Sequence, residues 1–186
     1  MLMPYIYHIV SKDFEQSKIE GEALYPLNVL KEKYPKLYSL HAQKYENKKH
    51  IQEFYIPQLS CYWGDVVHFS AVRPEAIVQL LDSCGLKKEF SYYEIDVTSI
   101  DLTKTIVYTN KPRENMKLMT EDDFVPFRAD EITRWAEIPQ ATIDYYQKCM
   151  GGGREPTLFL YIPHILYQGI VSLAGFKLRE TTSLIK

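Results

Sequence analysis

Apolar and polar residues alternate with a strand's period over residues 4–10, PYIYHIV. That spacing sets Tyr5, Tyr7 and Ile9 on one side and Ile6, His8 and Val10 on the other. Residues 90–97, FSYYEIDV, alternate in the same way, and 105–109, TIVYT, form another strand-length run. Residues 54–59, 65–70, 157–162 and 165–173 are likewise expected to be strands. Helical spacing takes over elsewhere. Leu37, Leu40, Ala42 and Tyr45 fall on one face over 36–47, and Ile77, Leu80 and Leu81 do so over 75–84. Pro74 suits the first turn of that second helix and Gly85 suits the position after its end. Shorter helices are expected over 11–22, 29–34, 130–135 and 140–150. Pro35 stops one of these, and Gly151-Gly152-Gly153 stop another. Residues 110–124 are charged and irregular, a surface loop. No repeat, low-complexity tract or linker divides the chain, so one α+β domain over 1–186 is expected.

Composition narrows this picture. A chain of 186 residues can bury a substantial core without disulfides or a structural metal. Its 46% hydrophobic and 25% charged residues are ordinary for a folded domain. A net charge of -2 gives no strong nucleic-acid signal. Fifteen tyrosines against eight glycines are the one oddity, and half-buried strand positions account for them. Cys61, Cys84 and Cys149 are odd in number and far apart, which fits neither a disulfide framework nor a metal site. The start, MLMPYIYHIVSKDF, lacks the features of a signal peptide, and no apolar run reaches the roughly 18 residues of a membrane span. A cytoplasmic protein with no membrane partner is the expectation, with secretion independent of a cleaved signal left open.

Five segments place polar groups on or beside apolar strands. They are Tyr7-His8-Ile9, Val67-His68-Phe69-Ser70, Glu94-Ile95-Asp96, Arg154-Glu155, and the run from Ile162 through Pro163, His164 and Tyr167 to Gly169. Imidazoles on a buried strand face need partners for their nitrogens. Three histidine segments are more than coincidence favours, and they could face one cleft. The histidines lack ligand spacing for zinc, so no metal is expected. Ser70 lacks a nucleophile elbow, and the glycines at 151–153 are followed by no GKS or GKT.

The order of these segments carries a resemblance. YHI, a strand closing on His68-x-Ser70, the pair Ile95-Asp96, then Glu155, then Pro163-His164-Ile165-Leu166-Tyr167 together resemble an uncharacterised bacterial domain family. Its members show YHI, an IHCS-like strand, a glutamate and an FPHLYG-like close, and it belongs to the ADP-ribosyltransferase-like superfamily. The chain also resembles a longer bacterial group with YPLN and PHILY segments. Phe69 stands where the small family has cysteine, and PHILYQG is one residue longer than PHLYG. Long insertions near 15–57 and 110–150 separate the motifs.

The resemblance implies a split, bent pair of antiparallel sheets flanked by helices, with NAD or a related nucleotide in the cleft between them. It implies cleavage of the nicotinamide–ribose bond through an oxocarbenium-like transition state, with ADP-ribose passed to an unknown acceptor or to water. Glu155 would stabilise the developing positive charge. His8 would hydrogen-bond a ribose hydroxyl, and His68 or Ser70 would hold the nicotinamide ribose or orient the glutamate. Tyr92 or Tyr93 would stack on the nicotinamide, while His164 and Tyr167 would bind the nucleotide or fix the last strand turn. The alternative is a nucleotide-binding or interaction module without turnover. Phosphate transfer on tRNA, also known in this superfamily, needs basic contacts that no concentrated motif here supplies.

Overall fold

The structure, a computed structural model, describes residues 4–10, 22–46, 49–113 and 119–181. The helix expected over 11–22 lies almost wholly outside the described residues. In chain order come β1 (Tyr5–Val10), β2 (Ala23–Leu24), α1 (Leu27–Lys33), α2 (Pro35–Ala42) and α3 (Lys49–Gln52). β3 (Tyr55–Ile56), β4 (Cys61–Tyr62), β5 (Val66–Phe69), α4 (Pro74–Ser83), β6 (Ser91–Asp96) and β7 (Thr105–Tyr108) follow. The chain continues through β8 (Phe124–Pro126), α5 (Gln140–Gly151), β9 (His164–Gln168), β10 (Val171–Ser172) and β11 (Leu178–Glu180). The fold is α+β with antiparallel sheets. Among the described residues no helix is long and apolar enough to cross a membrane.

Two sheets matter for the site. One runs β1-β6-β11 and the other β5-β9-β7-β8. Among the described residues one antiparallel bridge joins their backbones, where Tyr7 and Ser70 exchange hydrogen bonds of 2.8 and 2.9 Å. The four-stranded sheet is buried on both faces, and strand alternation sorts its residues between two cores. Val67, Phe69, Val107 and Ile165 join Ile6, Tyr93 and Ile95 of the other sheet, while Val66, Ile106 and Leu166 pack with Trp63 and Phe124. A third core lies under α4 and α5, built from Val72, Ile77, Leu81, Phe90, Tyr146 and Ile162.

Helix α4 starts and stops by local chemistry. Arg73 is extended before it and Pro74 opens its first turn. At the other end Leu86 N–H bonds Leu81 O at 2.9 Å and Gly85 N–H bonds Asp82 O at 2.9 Å. That is a Schellman close, and it needs Gly85 left-handed at φ 85°. A Cβ on Gly85 would meet nothing within 4 Å. Gly85→Ala therefore carries a conformational cost alone, an expected loss of about 1–2 kcal/mol in urea unfolding.

Two expectations are corrected. Residues 157–162 form turns, with Phe159 and Tyr161 left-handed, where a strand was expected. Residues 54–59 form the two-residue β3 and then a 3-10 turn at Pro57–Leu59, since Pro57 has no N–H for a ladder. The helix expected over 130–135 is present, in 3-10 form, at Ala129–Trp135.

Candidate functional site

The bridge between Tyr7 and Ser70 brings the histidine segments together. A cleft of about 190 Å³ is lined by Tyr7, His8 and Ile9 of β1 and by His68, Phe69 and Ser70 at the end of β5. Val72 and Pro74 at the entry to α4, Phe159, and His164 at the start of β9 complete it. Residues from both sheets thus meet beside the Tyr7–Ser70 bridge.

Within the cleft, His8 Nδ1 lies 2.8 Å from the carbonyl oxygen of His68. A carbonyl only accepts, so Nδ1 carries the proton of this bond. The His8 ring meets Phe69 edge-on, with centroids 5.7 Å apart. His68 packs on Trp63 at 4.8 Å and on His164 at 6.0 Å, and His164 lies parallel to Tyr108 at 6.2 Å. Tyr108 closes the ring cluster edge-on against Trp63 at 5.3 Å. Burial pushes the Tyr108 hydroxyl above its ordinary value, with Arg113 opposing the shift. Alternation explains the grouping: His68, His164 and Tyr108 stand on one face of the sheet with Leu166 and Ile106.

Ser70 is buried, and its Oγ accepts the Val72 N–H at 3.0 Å, a bond that turns the chain toward α4. His8, His68, Ser70 and His164 therefore share one cleft. The other candidates do not line it. Tyr92 is buried on the face of β6 opposite the shared core and donates its O–H to Glu75 Oε1 at 2.5 Å. Burial, then this bond, pushes its hydroxyl up to about 12. Tyr93 is buried in the shared core between the sheets. Tyr167 packs beside that core, and a Cβ on Gly169 (φ 144°) would come within 3.0 to 3.3 Å of its ring.

Glu155, expected by resemblance in the cleft, sits elsewhere. Its side chain is 65% exposed after α5 and pairs with Lys88 at 3.1 Å. The glycine break before it carries the residue out to the surface. A lone nucleophile gains no support either: burial, reinforced by Asp65, pushes the Cys61 thiol up to about 11, which keeps it neutral near pH 7. Among the described residues no group of three His, Cys, Asp or Glu side chains is placed to hold a metal ion.

Sequence reasoning missed Phe159, Pro74, Trp63 and Glu75. Phe159 was hidden by reading its segment as a strand. Glu75 was read only as helix, although its position one residue after the helix-opening Pro74 placed it beside the cleft wall. Set against known protein families, curated proteins and solved structures, the chain matches none of them. Fold and site together define an α+β protein with a histidine-lined cleft at the junction of two antiparallel sheets.

Proposed function

We propose that this chain is an ADP-ribosyltransferase-like protein whose cleft binds NAD or a closely related nucleotide. The observation that supports the reading is the convergence of His8, His68, Ser70 and His164, from two separate sheets, on one cleft. Those are residues the family resemblance assigns to the nucleotide. His8 is oriented by its Nδ1–H bond to the carbonyl of His68, which holds the ring at the cleft wall where a ribose hydroxyl would meet it. A volume of about 190 Å³ is small beside the roughly 300–1,000 Å³ of pockets that enclose whole drug-sized ligands. The cleft suits one ring-and-ribose end of a dinucleotide, with the remainder lying outside it.

A second reading, binding without turnover, has its own support. Among the described residues lining the cleft there is no carboxylate, and Glu155 is paired with Lys88 on the surface. Breaking the nicotinamide–ribose bond leaves positive charge on the sugar, and a nearby carboxylate is the usual means of stabilising it.

Thermal shift with NAD, ADP-ribose and nicotinamide, on wild type and His8→Ala, tests the binding. A ligand at a hundred times its Kd adds about 2.7 kcal/mol to stability. For a domain of this size that is a rise of roughly 5–10 °C. The expected result is a shift with NAD that His8→Ala abolishes, and no shift with any of the three ligands would overturn the reading. Release of free nicotinamide from NAD then separates turnover from binding alone.

A further inference from the structure

The Phe159 wall of the cleft belongs to a segment that regular secondary structure does not hold. Between α5 and β9 the backbone is left-handed at Phe159 (φ 62°) and again at Tyr161 (φ 66°). An L side chain in that conformation crowds its own following carbonyl, so single glycines are its usual occupants. Two aromatic residues adopt it here within three positions. Such backbone persists only where the surroundings over-determine it, and it concentrates at ligand clamps and active sites.

The determinants are side chains from two other elements. Thr142 on α5 donates its hydroxyl to Leu160 O at 3.0 Å. The hydroxyl oxygens of Tyr145 and Tyr146, also on α5, accept the N–H of Thr157 at 3.0 Å and of Phe159 at 3.2 Å. From the opposite side, Asn110 follows β7 and donates both amide hydrogens, one to Phe159 O at 3.1 Å and one to Ile162 O at 3.0 Å. Asn110 is itself left-handed at φ 48°, which asparagine tolerates better than other residues with a side chain. Its two bonds span the turn that contains both strained residues.

We propose that Asn110 is a positioning residue for the cleft. By clamping the turn from Phe159 to Ile162 it fixes Phe159 as an aromatic wall, and so sets the affinity for ligands that carry a flat ring. The inference rests on the nucleotide reading and adds to it which wall meets the ring. The polar lining comes from His8, His68, Ser70 and His164, while Phe159 supplies an aromatic surface on which a planar base can stack. Released from Asn110, the turn relaxes toward right-handed backbone and carries the Phe159 side chain in a different direction.

The test compares two probes that share a ribose 5-phosphate and differ by the cationic nicotinamide ring that replaces the anomeric hydroxyl, nicotinamide mononucleotide and ribose 5-phosphate. Wild type, Asn110→Asp and Phe159→Leu are titrated calorimetrically with each. Aspartate keeps the left-handed tolerance and removes the donors. Leucine keeps the backbone demand and removes the flat ring. Either variant is expected to bind nicotinamide mononucleotide about 5- to 150-fold more weakly, the range of one lost stacking contact. Affinity for ribose 5-phosphate is expected to stay within twofold, a selectivity that a merely structural role for Asn110 cannot produce. Equal losses for both probes, or no loss in either variant, overturn this inference and leave the nucleotide reading standing. A wild type that binds neither NAD nor nicotinamide mononucleotide overturns both together. Should Asn110→Asp fold poorly, Asn110→Gly, which keeps the left-handed backbone and removes both donors, takes its place with the same two outcomes.

Discussion

Leu166→Ala is expected to lower stability by about 2–5 kcal/mol, and with it the melting temperature by roughly 4–20 °C. Leu166 is fully buried on β9, between β5 and β7 in the four-stranded sheet. It pairs across to His68 on one side and to Ile106 on the other, so its side chain has packed strands to its left and right. Below it lie Ile56, Leu59 and Trp63 of the same core. Truncation would leave a void walled by sheet backbone, which collapses poorly, and the cost belongs in the upper part of the range. Ile170→Ala is the control, because Ile170 is 45% exposed and its truncation should stay within about 0.5 kcal/mol. Chemical denaturation of the three proteins measures the difference. A Leu166→Ala loss no larger than the control's would mean that β9 is not the centre of the core.

The strands that made the site were legible because their alternation is strong. β1, β6 and β7 fall within one residue of the expected 4–10, 90–97 and 105–109. Helix α4 was equally plain, since Pro74, Ile77, Leu81 and Gly85 carry its start, its buried face and its end. The segment at 157–162 misled for a physical reason. Its apolar and aromatic content is that of a strand, but its conformation is set by Asn110 and by three α5 side chains distant in sequence. The strands β2, β8, β10 and β11 are only two or three residues long, too short for a period to register. The meeting of His8 with His68 and His164 follows from one backbone bridge, Tyr7 to Ser70, which leaves no mark in the side-chain pattern. Spacing told which residues were out of place in a strand. Pairing decided which of them met, and Glu155 was assigned by order alone, with no local pattern to hold it near the others.

Tyr92→Phe is expected to cost about 1–3 kcal/mol at pH 7. Its O–H is the hydrogen bond to Glu75 Oε1, and the other carboxylate oxygen, Oε2, is already buried with none. Arg73 Nε approaches Oε2 only to 3.9 Å, from a side chain that is 65% exposed, so it compensates little. Removing the hydroxyl leaves a carboxylate in place with both oxygens poorly satisfied, and this asymmetric loss is what makes the substitution costly. Changing Glu75 to Gln in the Tyr92→Phe background should recover part of it, because a neutral amide is less expensive to leave unpaired. The pH dependence has a definite sign. Burial, followed by Glu75, raises the Tyr92 hydroxyl from 10.0 to about 12, so the folded protein holds that proton more tightly than the unfolded chain does. The stabilisation is complete below pH 10 and is lost as pH rises from there through about 12. The gap between wild type and Tyr92→Phe should accordingly be constant from pH 7 to 9 and should narrow by pH 11. Urea unfolding at those three pH values measures it. A gap that stays constant through pH 11 would mean that the Tyr92 proton is not what holds Glu75, and that the first turn of α4 beside the cleft is anchored by packing alone.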